Sequence, residues 1–142
     1  MRVSTSVEIG SAPERIWQVL TDVERWPEWT SSMRRVERLD DGPFGLGSTV
    51  RIEQPRLRPA VWLVTELTPE TSFTWKSTTG GVTTAGEHRL TGEGDNRTRV
   101  ELSIRHRGAL APLVGLLTWP ITRRYLRSEA AGLKRRCEQP AN

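Results

Sequence analysis

The sequence predicts an α+β domain. A curved, seven-stranded antiparallel sheet wraps one long C-terminal helix, and two short helices stand between strands 1 and 2. Three observations carry this expectation. Residues 33–107 read as alternating strands separated by turn signals. A helical pattern then runs from Leu110 to about Arg136. A single sheet of that size has to bury its apolar face, and the last helix is the one element long enough to cover it.

The elements follow in order. Arg2-Val3-Ser4-Thr5-Ser6-Val7-Glu8-Ile9 alternates polar and apolar, which is a strand pattern and unlike a signal peptide. Ser11-Ala12-Pro13-Glu14 has the form of a capping box, with Pro13 placed where a helix needs no N–H. Ile16, Val19, Leu20 and Val23 continue at helical spacing until Pro27 interrupts, giving a short second helical turn around Asp22 to Trp29. Strands are expected at Met33–Asp40, Ser48–Gln54, Ala60–Leu67, Ser72–Thr78, Val82–Thr91 and Arg97–Arg107. Asp41-Gly42-Pro43, Pro55 to Pro59, Pro69, Gly80-Gly81 and Gly92 to Asn96 punctuate them. In the final helix Leu113, Leu117, Ile121 and Tyr125 form a stripe, Pro120 predicts a kink near Leu116, and the carboxyl half turns basic.

Composition bounds the function. With 142 residues, 35% of them hydrophobic, residues 1–142 form one domain able to bury a core without staples. Cys137 is the sole cysteine, so an intramolecular disulfide is excluded and the expected location is cytoplasmic. The net charge of +4 comes almost wholly from arginine, Lys76 and Lys134 being the two lysines. Acids are interleaved with these arginines except in the cluster from Arg123 to Arg136, so nucleic acid is not an expected partner.

The order of elements and a set of local motifs resemble the START/Bet v 1-like (helix-grip) superfamily. Those motifs are Ser11-Ala12-Pro13-Glu14-Arg15-Ile16-Trp17, Trp26-Pro27-Glu28-Trp29, Gly45-Leu46-Gly47-Ser48, Trp62 through Leu67, Phe73-Thr74-Trp75 and Leu133-Lys134-Arg135. Within it, the chain is most similar to the polyketide cyclase/dehydrase-like bacterial proteins. The resemblance implies a deep apolar cavity between sheet and long helix, binding a polyketide, lipid or related apolar compound. Two alternatives stay open beside simple binding: a polyketide aromatase/cyclase-type enzyme, and a lipid or quinone carrier that docks on membranes through its last helix.

Hairpin alternation places the turns at Gln54–Pro59 and Gly80-Gly81, the Arg107–Leu110 junction and the loop at Thr30–Ser32 around one portal. The expected ligand-binding residues are Trp26, Trp29, Trp62, Trp75, His88, Ile104, Leu113, Leu117, Ile121 and Tyr125. Trp26 and Trp29 either line the cavity or plug it, Leu113, Leu117 and Ile121 form either its wall or ordinary core, and Trp17 packs the first helix on the sheet. The catalytic candidates are His88, as a polar group deep in an apolar site, and Arg58, which with Arg56 stands in the portal turn. His88 and His106 are expected roughly 20 Å apart along adjacent strands, too far to share a metal, and no cofactor is expected. Val61 and Leu63 give the strand at Ala60–Leu67 an apolar outer face, the face that a homodimer would use.

Overall fold

The computed structural model describes residues 2–139. Its elements are β1 (Arg2–Ile9), α1 (Pro13–Thr21), a 3₁₀ helix (Val23–Glu28), β2 (Arg35–Arg38), β3 (Thr49–Glu53), β4 (Ala60–Thr68), β5 (Ser72–Thr79), β6 (Val82–Gly92), β7 (Thr98–Arg107) and α2 (Ala111–Glu138). The seven strands form one antiparallel sheet in the order β1-β7-β6-β5-β4-β3-β2. β2 to β7 therefore form a meander. The two helical segments between β1 and β2 carry the chain from one edge of the sheet to the other.

Strand periodicity selects the face that α2 covers. Val3↔Ile104, Thr5↔Leu102 and Val7↔Val100 pair across β1 and β7. Their row continues through Gly86↔Ile104, His88↔Leu102 and Leu90↔Val100 into β6. It reaches β5 through Phe73↔His88 and Trp75↔Gly86. In β4 the register shifts between Val64 and Glu66, an irregularity of the β-bulge kind. Trp62 and Val64 before it, and Leu67 after it, all pack against the core despite their odd spacing. Val61 and Leu63 stand exposed on the opposite face.

The predicted capping box does not form. Ala12 is the N-cap and makes no side-chain cap bond, its carbonyl accepting from the backbone N–H groups of Arg15 and Ile16. Ser11 is drawn to the sheet instead: its carbonyl accepts from the buried Thr98 hydroxyl at 2.8 Å, and its N–H donates to Ile9. Sheet closure thus takes the residue that local pattern assigned to the helix. In the following turn the Trp26 indole N–H donates to the Leu20 carbonyl at 2.9 Å, which folds the 3₁₀ helix back onto α1.

The two halves of α2 behave differently. Leu126, Glu129, Ala130, Leu133 and Cys137 are buried at helical spacing, with Leu133 fully inaccessible. In the first half only the small residues Ala111 and Gly115 are buried. The helix continues through Pro120 without a break in its assignment. Its far end is tied down: Glu138 accepts from the Gly10 N–H at 2.7 Å, Lys134 donates to the Glu8 carbonyl at 2.8 Å, and Arg136 pairs with Glu28. The expected basic cluster is therefore split. Lys134, Arg135 and Arg136 serve the fold, while Arg123, Arg124 and Arg127 are exposed.

A very close approach lies at Gly132, where an added methyl would run into the carbonyl oxygen of Trp29. That carbonyl is backbone and cannot swing aside. Gly132→Ala should therefore destabilise the protein by about 2 kcal/mol or more in urea denaturation, whereas Gly45→Ala, with open space around it, should be nearly neutral. Equal stability of the two variants would contradict the packing described.

Candidate functional site

Because the first half of α2 stands off the sheet, a cavity of about 240 Å³ remains beneath it. Its apolar wall includes Met33, Ile52, Trp62, Trp75, Leu102, Ile104 and Leu126. Space for Trp75 comes from Gly86, directly across on β6: a Cβ there would lie 2.8 Å from the indole nitrogen. Leu57 and Arg58, both exposed, stand at the mouth in the β3–β4 loop. Tyr125 joins that loop to α2 by donating its hydroxyl to the Pro55 carbonyl. At the same end, Gly108 lies directly against the Gly81 carbonyl, so two more of the expected portal segments meet there. Thr30–Ser32 packs instead against the middle of α2, through Ser128.

Of the expected ligand-binding residues, Trp62, Trp75, His88, Ile104 and Tyr125 line this cavity. Trp26 and Trp29 are buried beside it, outside its wall, their rings 5.2 Å apart. Trp26 also packs on Trp75 and His88, so it supports the wall from behind. Leu113 and Leu117 lie on the solvent side of α2, 53% and 70% exposed, and Ile121 is half-buried off the wall. The helical face turned to the cavity is Thr118, Thr122, Tyr125, Leu126 and Glu129. Of the stripe read from the sequence, Tyr125 thus reaches the cavity, while Leu113, Leu117 and Ile121 are turned away from it. Trp17 sits edge-on to Phe73 at 6.1 Å, fastening α1 to the sheet. Of the two portal arginines, Arg58 reaches the cavity wall and Arg56 does not.

The histidines are closer together than expected. Pairing of β6 with β7 runs into the turn as far as Gly92↔Thr98, which sets His88 opposite Leu102 and His106 opposite Thr84. The two rings are then four residues apart along the sheet, roughly 13 Å at ~3.3 Å per residue, and both line the cavity. His106 Nδ1 is 3.0 Å from the Thr84 hydroxyl. His88 Nδ1 lies 3.1 Å from the Phe73 carbonyl oxygen, which can only accept, so Nδ1 carries the proton and Nε2 is left as an acceptor. The ring stacks on Phe73 at 4.1 Å, with Trp26 and Trp75 edge-on. Burial holds it neutral, its pKa falling to about 4 against a smaller opposing effect of the Phe73 hydrogen bond.

Sequence reasoning missed Glu129. Its carboxyl is buried on the cavity wall, and burial raises its pKa to about 8 against the opposing hydrogen bond from Ser32. A signal was present: Glu129 stands four residues after Tyr125 and four before Leu133, in line with inward-facing positions. Cys137 is buried beyond the cavity, and desolvation pushes its thiol up to about 11, far from a reactive thiolate. Among the described residues no group of three His, Cys, Asp or Glu side chains is arranged to hold a metal ion. No helix among them is long and apolar enough to cross a membrane.

Comparison with known proteins agrees with this architecture. The family described as polyketide cyclase / dehydrase and lipid transport matches residues 1–138. A START superfamily protein from Mycobacterium smegmatis superposes with a TM-score of 0.75 at 17% identity, covering 95% of this chain and 97% of that one. Norcoclaurine synthase from Thalictrum flavum gives 0.75 at 14% identity, covering 99% and 87%. At those identities the likeness is one of fold. An uncharacterized protein of Mycobacterium tuberculosis is 33% identical over 48 residues, which are 34% of this chain and 29% of that protein. The matched stretch thus spans less than a third of that relative's length.

The buried carboxyl has a measurable consequence. Because Glu129 holds its proton more tightly folded than unfolded, the stability tied to its neutral form is complete below about 4.5 and is lost as the pH rises through about 8. His88 acts in the opposite sense: its neutral ring favours the fold above about 6.5, and that contribution is lost as the pH falls towards 4. Glu129→Gln, which cannot ionise, should gain stability over the wild type as the pH rises from about 5 to about 9, by a few kcal/mol. Thermal unfolding across that range should show the gap opening. A constant gap would mean that Glu129 is not buried.

Proposed function

This chain belongs to the polyketide cyclase/dehydrase and lipid-transport family, and from that premise we propose that it binds an apolar small molecule in the cavity between its sheet and α2. The carrying observation is the cavity itself, apolar over most of its wall and set with polar side chains from β6, β7 and α2, as in small-molecule sites generally. Its volume is about 240 Å³. That volume favours a compact ring system over a two-chain lipid. Binding is also the better reading of His88: a general base works best with a pKa near the operating pH, and a ring held at about 4 is a weak one. A cyclase-type role for His88, or for Arg58 at the mouth, would have to overcome that.

A second observation favours loading at an anionic membrane surface. Leu110, Leu113, Leu116, Leu117 and Trp119 are exposed beside the portal, and exposed apolar groups in such number mark an interaction face. Arg123, Arg124 and Arg127 continue the exposed surface of the same helix, the Arg123 guanidinium lying 5.1 Å from the centre of the Trp119 ring. No acidic residue stands between Glu101 and Glu129 in the sequence. Apolar groups followed by uncompensated arginines suit the headgroup region of a negatively charged bilayer.

Two experiments test these readings. Native mass spectrometry of the gently purified protein should reveal a bound small molecule, and 2-ethylnaphthalene should quench the fluorescence of Trp62 and Trp75. Filling the cavity with Thr122→Trp should abolish both while leaving the far-UV circular dichroism intact; unchanged binding would refute the assignment of the cavity. In flotation assays the protein should rise with phosphatidylglycerol vesicles and not with phosphatidylcholine vesicles. Leu116→Ser/Leu117→Ser and Arg123→Glu/Arg124→Glu should each weaken that binding by tenfold or more, taking about 1 kcal/mol for each basic residue. Flotation indifferent to lipid charge would sink the membrane reading.

A further inference from the structure

Resting on the reading of the cavity as a ligand site, we propose that Glu129 is its specificity-determining residue: its carboxylic O–H donates to the carbonyl oxygen of an uncharged ligand, and anionic ligands of the same shape are rejected.

The placement of the carboxyl carries this assignment. Glu129 is buried on the cavity wall, one turn of α2 beyond Tyr125, and no lysine or arginine pairs with it among the described residues. An unpaired carboxyl buried in that way keeps its proton. The Ser32 hydroxyl, the side chain that hydrogen-bonds to it, engages one of its two oxygens. The other is left for a ligand, on a group that lies on the cavity wall.

The surrounding charges agree. The other titratable groups on the wall are Glu87 and His88 on β6, His106 on β7, Tyr125 one turn earlier on α2 and Arg58 in the β3–β4 loop. His88 is neutral, burial lowers the pKa of His106 as well, Glu87 accepts from Ser103 and adds no positive charge, Tyr125 is engaged with Pro55 and Arg58 is at the mouth. α1 and β1 bring no titratable side chain to the wall among the described residues. Nothing deep in the cavity neutralises a ligand carboxylate. A ligand carbonyl finds donors in Glu129 and the Trp75 indole N–H, and a ligand hydroxyl finds an acceptor in His88 Nε2. Such a site recognises oxygen-bearing neutral ring systems.

Three naphthalenes of similar size separate the possibilities: 2-acetylnaphthalene carries a carbonyl, 2-ethylnaphthalene carries none, and 2-naphthoate carries a charge. Their affinities are read by tryptophan quenching near pH 6 and near pH 9.5, on either side of the Glu129 transition at about 8. At the lower pH the ketone should bind about five- to tenfold more tightly than the hydrocarbon, and 2-naphthoate more weakly than both. At the higher pH the advantage of the ketone should vanish, because an ionised carboxyl no longer donates. Glu129→Gln keeps a donor at every pH and should keep the ketone preference at both; Glu129→Leu should lose it at both while still binding 2-ethylnaphthalene. If the hydrocarbon binds and the ketone enjoys no preference, or if Glu129→Gln follows the wild-type pH profile, the role of Glu129 is overturned and the cavity stands. If none of the three binds, the cavity reading falls and this inference falls with it.

Discussion

The contact of Gly132 with the Trp29 carbonyl is the constraint on which the rest of the structure depends. It lets the second half of α2 lie directly on the 3₁₀ turn, where Leu133 becomes fully buried and Arg135 reaches the same carbonyl. A continuous helix held that closely at one end is constrained in its path over the rest of the sheet. Over the far end of the sheet that path leaves a gap, since the residues turned inward there are Thr118 and Thr122. The cavity is thus a consequence of how tightly the opposite end is packed.

Within that gap the protein keeps polar groups that an ordinary core would exclude. Burying an ionised carboxylate without a partner is expensive, and Glu129 avoids the cost by retaining its proton. His88 avoids the corresponding cost by staying neutral, with one nitrogen committed to the Phe73 carbonyl and its faces covered by aromatic rings. Both groups are thereby fixed in a single hydrogen-bonding state at neutral pH. Fixed donors and acceptors on an apolar wall give direction to a site that would otherwise select by shape alone.

The exterior of α2 follows from the same division of labour. Its carboxyl-terminal cations are consumed by Glu138, Glu28 and backbone carbonyls, so they fasten the helix. Its first half is released from the core and shows leucines and arginines to the outside. The carbonyl of Pro55, held by Tyr125, links that half to the loop at the cavity mouth.

The sequence by itself determined the order of elements, the edges of most strands and, outside the irregularity in β4, which strand residues share a face, because a period of two leaves a regular strand no choice once one side is apolar. That is why Trp62, Trp75, His88 and Ile104 could be placed on one wall. It did not determine the fate of Ser11, which the sheet claims through Thr98, nor the register that brings His106 opposite Thr84. Above all it did not determine which side of α2 faces inward. Periodicity names the apolar side of a helix, and in the first half of α2 that side, Leu113 and Leu117, is the one left outside. Only the tertiary structure settles this, because the rotation of α2 about its axis is fixed at Gly132, Leu133 and Glu138, well away from the residues it orients.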